Sequence, residues 1–140
     1  MKDKIIIVRD TFVGLHKNEK YDNISLENLD GIFDGFAQEI QCWGSHEYSE
    51  LDLVNDLIKK VKHGGKISFI GEEFYEVVRD SNKRVLSLEN AQIKFYGNDG
   101  EKKRLYSLDD LVNRLLGAGF NISKKRLKNY KYFVEAIRPW

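Results

Sequence analysis

The chain has 140 residues, with 23 lysines and arginines against 22 acids and a hydrophobic fraction of 41%. That length suits one hydrophobic core, and the near-neutral balance provides no global field towards nucleic acid or an anionic membrane. The single cysteine, Cys42, excludes an internal disulfide and a thiolate-rich zinc site, so a reducing, cytoplasmic setting is expected.

The opening Met1-Lys-Asp-Lys-Ile-Ile-Ile-Val8 has four apolar residues in a row before Arg9 and Asp10, short of a signal-peptide core or a membrane span, so no membrane partner is expected. Plentiful Lys, Asn and Ile with one Pro suggest an AT-rich bacterial or viral genome, which adds a virion-associated location to the expectations.

Ile5 to Val8 is a β-branched run bounded by charges, the pattern of a strand buried on both faces. Residues 11–35, broken by Gly14, Asn18, Asn23, Gly31 and Gly35, hold no sustained period and read as loop with at most a turn of helix. Phe36 to Trp43 reads as a second strand, ended by Gly44. Ser49 with Asp52 three residues on predicts an N-cap and a helix near 50–62, whose Val54, Leu57, Ile58 and Val61 recur at helical spacing. His63-Gly64-Gly65 is read as its stop, and Lys66 to Ile70 as the next strand.

Gly71 to Ser87 predicts a helix carrying Phe74, Val77 and Val78. Ala91 to Tyr96 alternates like a half-buried strand or extended loop before a turn at Gly97 to Gly100. Ser107 caps a helix near 107–116 with the stripe Leu108, Leu111, Val112, Leu115 and Leu116, closed by Gly117. Phe120 to Lys128 and Tyr130 to Ile137, joined through Asn129, predict an antiparallel hairpin at a sheet edge. The whole, residues 1–140, is expected to be one domain.

Three segments carry a family resemblance. Leu57-Ile-Lys-Lys-Val-Lys-His-Gly-Gly-Lys-Ile-Ser-Phe-Ile70 resembles the "LKPGGK" passage into the fifth strand of class I S-adenosylmethionine-dependent methyltransferases, with His63 in place of the usual proline. Ser107 to Phe120, ending Gly-Ala-Gly-Phe, is similar to the helix and "AGF" before the sixth strand, and Ala136-Ile-Arg-Pro139 to the end of the seventh. Upstream, Asp30 to Ile40 resembles the "DGSFDEI" approach to the fourth strand, with Trp43-Gly-Ser-His-Glu47 near the "LEH" position. The resemblance covers about residues 28–139 and implies an α/β fold: a truncated Rossmann-like methyltransferase sheet, mostly parallel, with a C-terminal antiparallel hairpin.

The front of the chain departs from that pattern. The family runs its first strand into a glycine-rich turn for the methionine part of the cofactor and ends its second strand on an acid for the ribose hydroxyls. Here Arg9, Asp10 and Phe12 stand in place of the glycines, and about 25 residues separate the first strand from the fourth-strand equivalent, too few for two βα units. No cofactor-binding residue is assigned and no cofactor is expected; S-adenosylmethionine would belong only to an active form of the protein.

Four groups carry chemical potential. His46 and Glu47 could act as a general base with its orienter, but no nucleophile or second acid is placed near them by sequence, and a structural role is preferred. Glu72-Glu73 at a strand end could hold a metal, but suits the first turn of a helix better. Lys124-Lys-Arg-Leu-Lys128 with Tyr130, Tyr132 and Phe133 interleaves cations and aromatics as a single-strand nucleic-acid platform does; a solvated edge that discourages strand pairing is the preferred reading. Cys42 reads as a small core residue. No catalytic or metal residue is assigned.

The expectation for function is a non-catalytic, methyltransferase-like interaction or assembly module, as in a phage or virus particle. Its partner, another protein or a second copy, is expected at the N-terminal strand and the 11–35 loop, on the sheet edge left by the missing second and third strands. The alternatives are an active methyltransferase completed by a partner chain and a nucleic-acid accessory protein.

Overall fold

The computed structural model describes residues 1–9, 19–98 and 100–140. Six strands form one sheet: β1 (Lys4–Val8), β2 (Asp22–Ser25), β3 (Ala37–Trp43), β4 (Val61–Glu72), β5 (Asn121–Lys128) and β6 (Lys131–Ile137), in the order β2-β1-β3-β4-β6-β5. β2, β1, β3 and β4 are mutually parallel; β6 runs antiparallel to β4, and β5 antiparallel to β6. Among the described residues four α-helices accompany them: α1 (Val54–Lys60), α2 (Phe74–Asn82), α3 (Leu88–Tyr96) and α4 (Leu108–Gly117).

The three strands read from Ile5–Val8, Phe36–Cys42 and Lys66–Ile70 are adjacent and parallel, as expected. Ile5, Ile7, Ile40, Cys42, Ile67, Phe69, Tyr132, Val134 and Ala136 turn to one face and meet Val54, Leu57 and Ile58 of α1 and Leu111 and Leu115 of α4. The helical residues in that set are at most 4% exposed. The opposite face is polar along its centre: Glu39, Gln41, Lys66, Ser68 and Glu135 alternate with the core residues, and Lys66 lies 3.8 Å from Glu39 and 3.7 Å from Glu135. One face of the sheet thus holds the core and the helices α1 and α4.

Several sequence expectations are corrected. Within the 11–35 stretch read as loop with at most a turn of helix, Asp22–Ser25 forms the strand β2, while Leu26–Gly31 is a short 3-10 helix capped by Ser25; residues 11–18 lie outside the described residues. β2 has little apolar pattern because it forms by lateral pairing with β1, Ile7 opposite Ile24. The first strand is consequently interior, and the open edge on that side belongs to β2.

Helix α1 starts at Val54, not near Ser49. Ser49 Oγ accepts only the nearby Leu51 N–H, while Asp52 Oδ1 accepts that of Val54. The helix ends at Lys60, with the Val61 N–H bonded to Ile58 O, so Gly64 and Gly65 do not terminate it. They form a bulge inside β4, between the pairs Ala37–Val61 and Glu39–Lys66. Gly65 is needed there, since a Cβ would come within 2.8 Å of Gln38 O and 2.9 Å of Ala37 O.

Ala91 to Tyr96, read as extended, belongs to α3, because Ser87 Oγ accepts the Asn90 N–H and starts a helix that buries only Ala91. Helix α4 is turned by Gly119 (φ 87°) rather than Gly117, with Phe120 N–H on Leu115 O, and Leu116 points to solvent. The hairpin turns on two residues, Asn129 and Tyr130, both left-handed as a type I′ turn requires. β5 is the sheet edge, exposed at every position but Ile122, and its cations are all exposed.

Candidate functional site

The strand order reverses between β1, which connects to β2 on one side, and β3 on its other side, and open α/β sheets present ligand sites at the carboxyl ends of strands at such a point. Two arrangements occupy this rim.

The first is a sealed knot. β3 ends at Trp43, Gly44 turns left-handed (φ 83°), and a single 3-10 turn, Ser45–Tyr48, folds the next residues back under the rim. Ser45 donates to Ile7 O at 2.8 Å, Cys42 Sγ lies 3.2 Å from Ser45 Oγ and 3.3 Å from His46 Nδ1, and His46 Nε2 lies 2.6 Å from the Tyr132 hydroxyl. In either tautomer both ring nitrogens are satisfied, one donating and one accepting. The imidazole packs edge-on to Phe69 at 5.2 Å and tilted against Tyr106 at 5.1 Å.

Burial sets the protonation of this knot. His46, fully buried, is pushed down to about 3 by loss of solvent, with the Lys102 ammonium adding to the effect, so the ring is neutral at physiological pH. Burial pushes the Cys42 thiol up to about 12 and the Tyr132 hydroxyl well above its usual range. A protonated thiol with no access to solvent is a core residue, not a nucleophile.

Glu47, 1% exposed, adjoins the knot. Its Oε1 accepts the Glu72 N–H at 3.4 Å; its Oε2 has no hydrogen-bond partner, with Lys102 Nζ 3.7 Å away. Burial raises the carboxyl to about 7 against the pull of Lys102. Gly71 makes room for the arrangement: a Cβ there would meet the Tyr132 hydroxyl and come within 2.6 Å of Glu47 Oε1.

Glu72 and Glu73 diverge instead of converging on a metal. Glu73 is buried and caps two helices at once, its carboxylate oxygens taking the N–H groups of Tyr75 in α2 and Leu108 in α4, both at 2.7 Å. Glu72 faces Lys94 at 3.7 Å. Among the described residues no group of three or more His, Cys, Asp or Glu is placed to hold a metal ion.

The second arrangement is an open cleft of about 900 Å³ between the 3-10 turn after β2 and helix α1. Arg9 follows β1, Leu26 and Glu27 follow β2, Tyr48 and Ser49 follow β3, and Asp34, Lys59 and Lys60 line its far end. The Arg9 guanidinium lies 4.5 Å over the Tyr48 ring and 3.8 Å from Glu101, while Lys60 reaches Asp34 at 3.1 Å. None of Cys42, His46 or Tyr132 lines it.

An acid therefore does follow the second strand. Glu27 escaped the sequence reading because β2 itself did, and the only local signal was Ser25, whose hydroxyl accepts the Glu27 N–H at 3.3 Å. The aromatics of the C-terminal segment are dispersed: Tyr132 lies in the knot, Tyr130 donates to Asp80 at 2.6 Å, and Phe133 turns to the polar face of the sheet. Asp10 and Phe12 lie outside the described residues.

No protein-family model matches the sequence, and no curated protein matches it. Solved structures do. An O-methyltransferase family protein from Burkholderia thailandensis aligns with a TM-score of 0.58 at 13% identity, over 86% of this chain and 36% of that one. The fold is methyltransferase-like. A SAM-dependent methyltransferase from Methanosarcina mazei aligns at 0.55 and 10% identity, over 94% of this chain and 73% of the other. A Haloferax volcanii complex of the Trm112 methyltransferase activator with a methyltransferase aligns at 0.56 and 7% identity, over 89% of this chain and 65% of the matched one. The chain spans about a third to two thirds of the length of the Burkholderia and Haloferax proteins, and identities this low speak to the fold alone. No helix among the described residues is long and apolar enough to cross a membrane.

Proposed function

We propose that this chain is a non-catalytic, methyltransferase-like interaction or assembly module, a component of a phage or virus particle or of another multiprotein complex. The observation that carries this reading is the separation of chemistry from access: Cys42, His46 and Tyr132 are locked in a water-free knot, and the cleft at the reversal of strand order is lined by none of them.

The cleft fits S-adenosylmethionine in one respect only. Glu27 stands where an acid for a ribose diol is needed. A guanidinium held at the end of β1 is a poor neighbour for the cofactor's ammonium and sulfonium, and the side chain of Arg9 stands where close backbone approach calls for glycine. Each missing hydrogen bond to the cofactor forfeits about 1–3 kcal/mol, and two or three of them weaken binding by orders of magnitude.

The expected protein partner or second copy meets the chain at this cleft, since Leu26, Glu27, Leu29, Asp30 and Asp34 of the expected interface line it together with Leu51, 71% exposed. A second reading, an active methyltransferase completed by a partner chain, draws on Glu27 and on the Haloferax neighbour, itself solved with an activator. Calorimetric titration of S-adenosylmethionine into the purified protein separates the two. No saturable heat is expected; low-micromolar binding that Glu27→Ala abolishes would restore the methyltransferase.

A further inference from the structure

Charge is segregated along the chain although the total is balanced. Residues 121–140 carry six bases and one acid, whereas the remainder carries 17 bases and 21 acids. The single acid, Glu135, is already matched by Lys66 at 3.7 Å and by the Ser123 hydroxyl at 2.8 Å. Lys124, Lys125, Arg126, Lys128 and Lys131 are all exposed, and none has an ion-pair partner among the described residues.

Strand register places part of this charge beside an apolar row. Trp43 is opposite Ile70, Ile70 opposite Phe133, and Phe133 opposite Arg126, so the four residues cross four adjacent strands on the sheet face away from α1 and α4. Trp43 is 44% exposed, and Ile70 and Phe133 are half-buried. Lys124, Arg126 and Lys128 recur at every second position of the edge strand, on this same face and about 6.7 Å apart.

We propose that this face binds single-stranded nucleic acid, with bases stacked on Phe133 and Trp43 and the phosphate backbone following the cations of β5. Stacking on exposed aromatics beside a track of cations is how sequence-tolerant single-strand sites work, because every base has a π-face and every nucleotide a phosphate. A duplex is disfavoured, since its bases are already stacked and the row offers no helix or ribbon for a groove. The charge of the face is local, so the weak net charge of the whole chain does not oppose binding.

The test is fluorescence anisotropy with a labelled oligothymidylate of about 16 nucleotides, across a salt series, using the full chain. The triple variant Lys124→Gln, Arg126→Gln, Lys128→Gln alters only exposed side chains and is expected to lower the slope of log affinity against log salt by about 2. Phe133→Ala is expected to weaken binding about 5- to 100-fold with the slope retained. Should Phe133→Ala prove poorly folded by circular dichroism, the triple variant still decides. The proposal is overturned by no binding at low salt, by an unchanged slope in the triple variant, by equal affinity for a duplex of the same length, or by binding to phosphatidylserine vesicles that the oligonucleotide fails to displace.

Discussion

The knot of Cys42, Ser45, His46 and Tyr132 and the cleft of Arg9, Glu27 and Tyr48 share one rim of the sheet, yet the first excludes water and the second is open to it. In the knot, every polar atom of those four side chains finds a protein partner, and burial keeps the thiol protonated and makes the neutral imidazole a weak base. In the cleft, two charge pairs, Arg9 with Glu101 and Lys60 with Asp34, border an open space. A titratable residue near a strand end is thus no sign of catalysis by itself; whether water and a ligand can reach it decides.

The comparison breaks first at His46. Its removal opens a cavity, leaves the Tyr132 hydroxyl without its partner and Cys42 with Ser45 alone, so His46→Ala is expected to cost about 3 kcal/mol in urea unfolding at neutral pH. The cost should shrink in acid. A histidine whose folded value is depressed contributes stability that is present above about 6.5 and lost as pH falls towards about 3.

Glu47 has the opposite sign. Its folded value is raised from 4.5 to about 7, so its contribution is full below about 4.5 and is lost as pH rises through about 7. The stability difference between wild type and Glu47→Gln, followed by chemical denaturation from pH 4 to 8, should change in favour of the variant over that window. A flat difference would place the carboxyl in contact with solvent. At the cleft, Arg9→Ala and Glu27→Ala should each change stability by no more than about 0.5 kcal/mol in the same assay, Arg9 because its pair with Glu101 is solvated and Glu27 because it is an exposed surface residue.

How far the sequence anticipated these regions follows from the range of the forces involved. β1, β3, the later part of β4 and helix α4 were legible because each carries its burial pattern within itself, as in Leu111 and Leu115 after the Ser107 cap. β2 was not, because Asp22–Ser25 is held by its neighbour rather than by apolar periodicity, and the acid after it went unread in consequence. Ala91 to Tyr96 fits two periods equally over six residues, and the cap at Ser87 that settles the matter lies outside that window. His46 could be named as a candidate, but its partner Tyr132 lies 86 residues away, and no local pattern joins them.

The closure of the knot can be read from its thiol, since Cys42 is the only cysteine in the chain. With a chromogenic disulfide reagent in excess at mildly alkaline pH, the native protein should release no chromophore over the time in which the guanidinium-unfolded protein releases one equivalent. Rapid release of one equivalent from the native protein would show the knot open to solvent and contradict the separation of chemistry from access on which the non-catalytic reading rests.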